Sequence, residues 1–424
     1  MLTGMPGRTD ITTQAAAVAP TGHAASAMLS VREARERLLA AVTAIGDVET
    51  VALADALGRV TATPLVSERD VPAADNSAMD GFALRHADLV AASGRLSVVG
   101  RTAAGQPPGA LVPGTAMGIL TGAVVPAGAD TVVPIEATQR SGDAIHVLNE
   151  SVAIGANIRR AGEDVARGAV VVPAGRALRP QDIGVAAAIG AASLAVRPHL
   201  RVALVVTGDE LVEPGQPLAP GQLYDSNGPM LSAVLSALGC HVIARHRVGD
   251  DLATTTATFE AASQGADLVL SSGGVSVGEE DHVKAAVRTL GAIEVWKVAV
   301  QPGKPIGFGR VGSVPWLGLP GNPVSSLVTL LVFGVPLVRR LQGREPLVPS
   351  AVPVPAGFSR ERVNKREEYV RVALRDGALV PYHHQGSGVL SSTVHGDGLA
   401  RIPAGSSVRE GDTLAYTSFA EYLG

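Results

Sequence analysis

The chain is short of cysteine, aromatic residues, long apolar runs and surplus positive charge, and each shortage closes off a class of protein. Of 424 residues only Cys240 is a cysteine. A lone thiol cannot build an internal disulfide framework or a thiolate zinc site, and it points to a reducing compartment, the cytoplasm. Lys and Arg number 35 against 39 Asp and Glu, a formal net charge of −4. A nucleic-acid surface needs clustered cations, so no nucleic-acid partner is expected. The longest apolar run, 327–338, holds Gly334 and Pro336. It covers about twelve residues where a membrane span needs about twenty, so no membrane partner is expected either. Residues 1–28 are rich in Ala, Thr and Gly with no continuous apolar core, which reads as a disordered tail rather than a signal peptide. No G-x-x-x-x-G-K-[ST] loop occurs, which removes Walker-type nucleotide hydrolysis. Gly307-Phe308-Gly309-Arg310-Val311-Gly312 spells G-x-G-x-x-G, but Pro315 and Trp316 follow where a dinucleotide site needs a helix. Those glycines are expected to shape a hairpin.

What the chain does have is Ala, Val, Leu and Gly: 46% of residues are apolar and 17% charged, with aromatics at 3%. That profile suits α/β architecture with parallel strands buried on both faces. The texture changes along the chain. Residues 29–46 are apolar at helical spacing, with Ser30 as N-cap three residues before Glu33. Short Val-rich strands, expected within 95–108, 114–120 and 144–150, fill a β-rich module over 47–168. Residues 169–199 return to a helical pattern after Pro180, a residue that suits a first turn; with 29–46 they are expected to form one discontinuous helical or linker domain. From 200 to 345 strands alternate with helices, which predicts a mostly parallel sheet covered by helices on both faces. Residues 346–424 read as a C-terminal, barrel-like β domain. The fold class expected is therefore multidomain, α/β plus β-rich modules. Ligands on open α/β sheets bind beyond the carboxyl ends of the strands, so the loops after strands are where function is sought.

One such loop reads Ser271-Ser272-Gly273-Gly274-Val275-Ser276-Val277-Gly278-Glu279-Glu280-Asp281. Residues 274–278 match G-x-S-x-G, the nucleophile elbow of α/β-hydrolases, with Asp281 and His383, His384 or His395 available to complete a triad. Against a hydrolase, no HGGG-type segment precedes the motif, and the next helix is expected to start after Glu280 rather than at Ser276. The competing reading is an oxyanion cradle with a metal-binding rim. Glycines let backbone N–H groups approach a phosphate, and the carboxylates fit if they hold Mg²⁺ between themselves and the anion. The plain alternative is Asp281 capping a helix beside solvated glutamates. Sister loops share the chemistry: Thr207-Gly208-Asp209-Glu210, Gln301-Pro302-Gly303-Lys304-Pro305, and Gly318-Leu319-Pro320-Gly321-Asn322-Pro323. Elsewhere, polar loop clusters occur at 72–83, with Asp75 and Asp80, at Thr121-Gly122, and at Gly162-Glu163-Asp164. Lys365, Arg366, Arg371 and Gly386-Ser387-Gly388 offer positive charge and a hydroxyl near the C-terminus. Each of these, taken alone, is as readily a turn or surface charge.

Together, "DNSAMDGFA", "LTGAVVPAGADTVVPIE", "IRRAGEDV", "TGDEL…PGQ…YDSN", "SSGGVSVGEEDH", "WKVAVQPGKP" and "GLPGNPVSS" resemble the molybdopterin molybdenumtransferase family, which includes MoeA and the gephyrin E domain. The segments occur in family order and span about 30–424. The resemblance implies an elongated homodimer of four-domain subunits whose α/β domain resembles the molybdopterin-binding fold. It implies Mg²⁺-dependent insertion of molybdate into adenylylated molybdopterin, releasing AMP and yielding molybdenum cofactor, with molybdopterin adenylyltransferase as the partner that makes the substrate. It assigns Glu210 and Asp281 to the acidic positions of the α/β site, around Mg²⁺. Gly273, Gly274 and Ser276 become a phosphate cradle, with Pro320 and Pro323 stiffening the neighbouring loop. Asp75 and Asp164 become catalytic residues of a cleft shared between subunits, where Thr121 also contributes to substrate binding. Lys297, Lys304, Arg371 and Ser387 fall at cationic and hydroxyl positions that suit a tetrahedral oxyanion. Gln301 stands where some members carry lysine, which puts more weight on Lys304. On this view the motif at 271–281 is an anion cradle. A non-catalytic scaffold on the same fold is the alternative, and tungstate could replace molybdate.

Overall fold

The structure is a computed structural model; it describes residues 28–149, 151–275, 282–303 and 305–424. At its centre lies a six-stranded sheet. His241–Val248, Arg201–Thr207, Leu268–Ser272 and Val314–Leu319 run parallel in that spatial order, and Pro305–Val311 and Gly291–Lys297 extend the edge antiparallel. The alternation of side chains along Arg201–Thr207 shows why these strands are apolar throughout. Val202, Leu204 and Val206 face a core with Leu231 and Leu235 of helix Asn227–Ala237 and with Leu330 and Leu337. Ala203 and Val205 face the opposite core, with Phe259 of helix Leu252–Ser263 and Val283 and Val287 of helix His282–Leu290. Since successive strand side chains point to opposite faces, a strand covered on both has no solvated side left for polar residues. The G-x-G-x-x-G stretch forms the hairpin between Pro305–Val311 and Val314–Leu319.

The helix after the last sheet strand, Pro323–Leu341, is 19 residues long and apolar enough to cross a membrane by length and composition; 94% of its most apolar window is buried inside the protein. Within it a π-helical turn at Leu330–Gly334 leads into Pro336, and that irregular turn accommodates a residue lacking an N–H.

The N-terminal helix, Val31–Ala40, starts with the expected capping box: Glu33 N–H donates to Ser30 Oγ, and Glu33 Oε2 accepts from Ser30 N–H. Its buried face, Val31, Ala34 and Leu38, joins the central core. Segment 169–199 pairs with strands that lie after this helix in the chain, Ser193–Val196 against Glu49–Ala52 and Val170–Val172 against Leu65–Val66. Ala56, Val172, Leu178, Ala186 and Leu194 form its own small core. Amphipathic spacing tells that a helix buries one stripe, but not against which neighbour. Helix Pro180–Ala188 carries Pro180 in its first turn. A second six-stranded sheet occupies 81–147, with strand order Thr131–Pro134, Gly81–Leu84, Thr115–Ile119, Arg95–Thr102, Ala144–Val147 and Thr138–Ser141.

The C-terminal strands order as Val300–Gln301, Glu367–Arg375, Gly398–Ile402, Thr413–Ser418 and Val352–Pro355, with Ala378–Pro381 paired to Glu367–Arg375. One member comes from outside: Val300–Gln301 continues the stretch 292–300, yet it leaves the central sheet after Lys297 and pairs parallel with Glu367 and Glu368. Glu367 N–H donates to Ala299 O at 2.8 Å. A single strand-like stretch is thus divided between two sheets, which periodicity alone does not reveal.

Candidate functional site

A cavity of about 1110 Å³ opens beyond the carboxyl ends of Arg201–Thr207, Leu268–Ser272 and Val314–Leu319. Backbone dominates its floor. Gly273 has φ +95°, and a Cβ there would meet Thr207 Oγ1 at 2.5 Å; Gly274 has φ +63° with Val283 equally close behind. No larger residue fits this turn unstrained, so the backbone itself can reach a ligand. The loop's two described serines are not nucleophiles in waiting. Ser271 Oγ accepts from Trp316 Nε1 at 2.9 Å, and Ser272 Oγ accepts from Asn227 Nδ2 at 2.9 Å and donates to Pro320 O at 3.2 Å. Asn227 Nδ2 also donates to Gly321 O at 2.7 Å. These buried bonds tie the loops at 227, 272 and 320 into one rim.

Of the residues singled out from sequence, Glu210, Gly273, Gly274, Pro320, Pro323 and Ser387 line this cavity. Ser387 arrives from the C-terminal region, and its carbonyl accepts Val324 N–H at 3.0 Å, at the start of the long buried helix. Ser276, Glu279, Glu280, Asp281 and Lys304 lie outside the described residues. Lys297 is exposed at the end of its strand and is not among the lining residues. Arg371 is placed differently from the expectation of an oxyanion ligand: it is 2% exposed. Its Nε donates to Ser392 Oγ at 3.0 Å and its NH2 to Gly386 O at 3.1 Å, bracing the Ser387 loop from behind. Burial pushes its guanidinium down to about 10, which leaves it charged at neutral pH.

Among the described residues, the cation that lines the cavity is Arg366. It donates to Gln301 Oε1 at 2.7 Å, and Asn364 Nδ2 donates to the same oxygen at 2.6 Å. The strand pairing of Gln301 with Glu368 produces this meeting, so glutamine at 301 serves as an acceptor that holds a guanidinium.

Asp225, Asn227 and Asp250 also line the cavity, and sequence reasoning missed all three. Asp225 is buried and accepts Gly228 N–H at 2.8 Å. The run Asp225-Ser226-Asn227 before an apolar helix carried a capping signal. Asp250 follows His241–Val248, so the rule of searching loops after strands, applied to the second strand too, would have found it.

Asp75, Thr121 and Asp164 lie on neighbouring loops elsewhere. Asn76–Ser77 pairs with Ile158–Arg159, and Gly122 N–H donates to Ser77 O, which brings the three polar loops side by side. Asp75 accepts Ala161 N–H at 2.8 Å and Arg160 at 2.6 Å; the amide first, then the guanidinium, hold its carboxyl below the usual carboxylate range. Thr121 donates through both N–H and Oγ1 to Asp80 at 2.7 Å, which lowers the Asp80 carboxyl in the same way. Asp164 is exposed. None of the three lines the cavity in this chain.

Residues 29–190 match the MoeA N-terminal region (domain I and II), 203–340 a probable molybdopterin binding domain, and 353–419 the MoeA C-terminal region (domain IV). The chain is 41% identical over 319 residues to the molybdopterin molybdenumtransferase of Haemophilus influenzae, covering 75% of this chain and 79% of that one. To the Nostoc enzyme of the same name it is 37% identical over 377 residues, 85% of this chain and 86% of the other. It belongs to the molybdopterin molybdenumtransferase family. A crystal structure of the molybdopterin biosynthesis MoeA protein from Pyrococcus horikoshii superposes with a TM-score of 0.78 at 32% identity, covering 93% of this chain and 99% of that one. Within the molybdopterin molybdenumtransferase family frame, the cavity spans two matched regions: its glycine loops fall in the molybdopterin-binding match and Arg366 and Ser387 in the C-terminal match.

Proposed function

We propose that this chain inserts molybdate into adenylylated molybdopterin in a Mg²⁺-dependent reaction that releases AMP and yields molybdenum cofactor. The observation that carries the reading is the cavity itself, where unhindered glycine backbone, Glu210 and Asp250, and the guanidinium of Arg366 converge on one space. Two anions must meet there, and at about 4 Å two unit charges in a partly shielded site repel by about 4 kcal/mol. Donors that accept negative charge are what lowers that barrier. Gly273 and Gly274 cradle phosphate, and Arg366 with Ser387 suits a tetrahedral oxyanion.

The donor set fits magnesium. Among the described residues no three His, Cys, Asp or Glu cluster as a protein-only metal cage. Mg²⁺ does not need one, since it keeps several waters and takes one or two carboxylates with substrate phosphates. Glu210, with Asp281, would hold it; bound there, it would neutralise phosphate charge. We further propose a homodimer in which the region carrying Asp75, Thr121 and Asp164 faces the partner's cavity, working in the cytoplasm on substrate supplied by molybdopterin adenylyltransferase. A barrel-like C-terminal domain belongs to the same reading, supported by the bridge between Ala356 and Leu379.

The test is AMP release from adenylylated molybdopterin and Mg²⁺, with and without molybdate. Molybdate-dependent release, lost in Asp281→Ala, is expected. Tight pterin binding with no release by the unmodified protein would leave a binding scaffold.

A further inference from the structure

A smaller cavity of about 450 Å³ adjoins the main one. Arg362, Asn364, Lys365 and Arg366 line it, and Arg366 lines both. The loop is the most basic surface stretch near the site: residues 360–366 hold Arg360, Arg362, Lys365 and Arg366 against the single carboxylate of Glu361. Its charges divide into three uses. Arg360 is paired with Glu368. Arg366 turns inward, held by Gln301 Oε1 and, at 3.4 Å, by Val300 O. Arg362 and Lys365 are exposed and form no ion pair among the described residues.

The loop holding these two cations is fixed. Asn364 Nδ2 donates to Gln301 and Glu368, its Oδ1 accepts Arg366 N–H at 3.1 Å, and its carbonyl accepts Gly405 N–H at 2.7 Å. Two cations without an ion pair among the described residues are thus anchored beside the mouth of a cavity in a chain whose net charge is −4. Overall negative charge repels an anion at long range, whereas a local cationic patch at a cleft mouth concentrates it and raises its on-rate.

We propose that Arg362 and Lys365 form an electrostatic approach path that delivers the phosphate-bearing substrate to Arg366 and the main cavity, without contacting it once bound. The proposal rests on the reading of the cavity as a site for adenylylated molybdopterin. Steering leaves a kinetic signature: it acts on association and is screened by salt, while dissociation is untouched.

The experiment is rapid mixing of the full chain with adenylylated molybdopterin, followed by pterin fluorescence. Ionic strength is varied from about 0.01 M to about 1 M, over which the screening length falls from about 30 Å to about 3 Å. In Arg362→Glu/Lys365→Glu the association constant should fall about tenfold at the lowest salt, approach that of the unmodified protein at the highest, and leave the dissociation rate unchanged. Arg362→Gln/Lys365→Gln should lie between. Association independent of salt in the unmodified protein, or variants altered only in dissociation, would overturn steering while leaving the substrate assignment standing. No binding by the unmodified protein would sink both.

Discussion

The two polar regions of this molecule treat their carboxylates in opposite ways. In the N-terminal region two acids are satisfied by their own neighbours: Asp75 by Ala161 and Arg160, Asp80 by both donors of Thr121. Around the cavity, the Glu210 and Asp250 side chains have no ion-pair partner among the described residues, while Asn227, Ser272 and Pro320 are tied together beneath the surface. A loop cluster whose charges are already matched is built to present a shape. A cavity whose charges are unmatched is built to receive something. The difference separates residues that complete a surface from residues that hold a ligand.

The largest expected effect breaks that comparison directly. Glu210→Ala should lower molybdate-dependent AMP release by about 10²- to 10³-fold, the scale of losing a well-placed electrostatic group, with little change in Tm. If Asp75 works across a dimer, Asp75→Ala is also inactive alone. Mixing the two inactive proteins, with subunits allowed to exchange, should restore about a quarter of normal activity, because half of the dimers are mixed and each mixed dimer keeps one intact site. Failure of the mixture to recover activity would place Asp75 outside the shared site. A middle-sized effect separates the two C-terminal arginines. Arg371→Met removes a buried, hydrogen-bonded charge and should cost about 3 kcal/mol in denaturant unfolding, whereas Arg366→Met should leave stability nearly unchanged and weaken oxyanion binding. Equal losses of stability would erase the distinction drawn between them.

The smallest effect concerns acid. The Asp75 carboxyl is held below its ordinary 3.8, so its contribution to stability is complete above the unfolded-state value and is lost as pH falls through the lowered one. Asp75→Asn should therefore be destabilised at pH 7 by no more than about 1 kcal/mol, given its exposure. It should match the unmodified protein near pH 2, as followed by urea midpoints. A gap that persists in acid would mean Arg160 and Ala161 are not what holds it.

Much of this is legible in the sequence. The double burial of Arg201–Thr207, the Ser30–Glu33 capping box and the hairpin over 307–312 all come from local pattern, since each depends on residues a few positions apart. The rest depends on distant pairing. Arg366 closes the loop before strand Glu367–Arg375 and Arg371 lies within that strand, and the parallel contact with Gln301 seats Arg366 at the cavity. Likewise Val31–Ala40 announces one apolar stripe, and the fold chooses the central core to cover it. The resemblance located the loops in order and implied a cleft shared between subunits for Asp75, Thr121 and Asp164; in a single chain they line no cavity with Glu210.

The two residues Val300 and Gln301 carry a last consequence. Since they belong by chain to the central region and by pairing to the C-terminal sheet, the C-terminal segment is not a detachable cassette. A chimera that exchanges residues 346–424 with those of a relative inherits the wrong edge strand unless 300 and 301 travel with it, and with that edge goes the seat of Arg366.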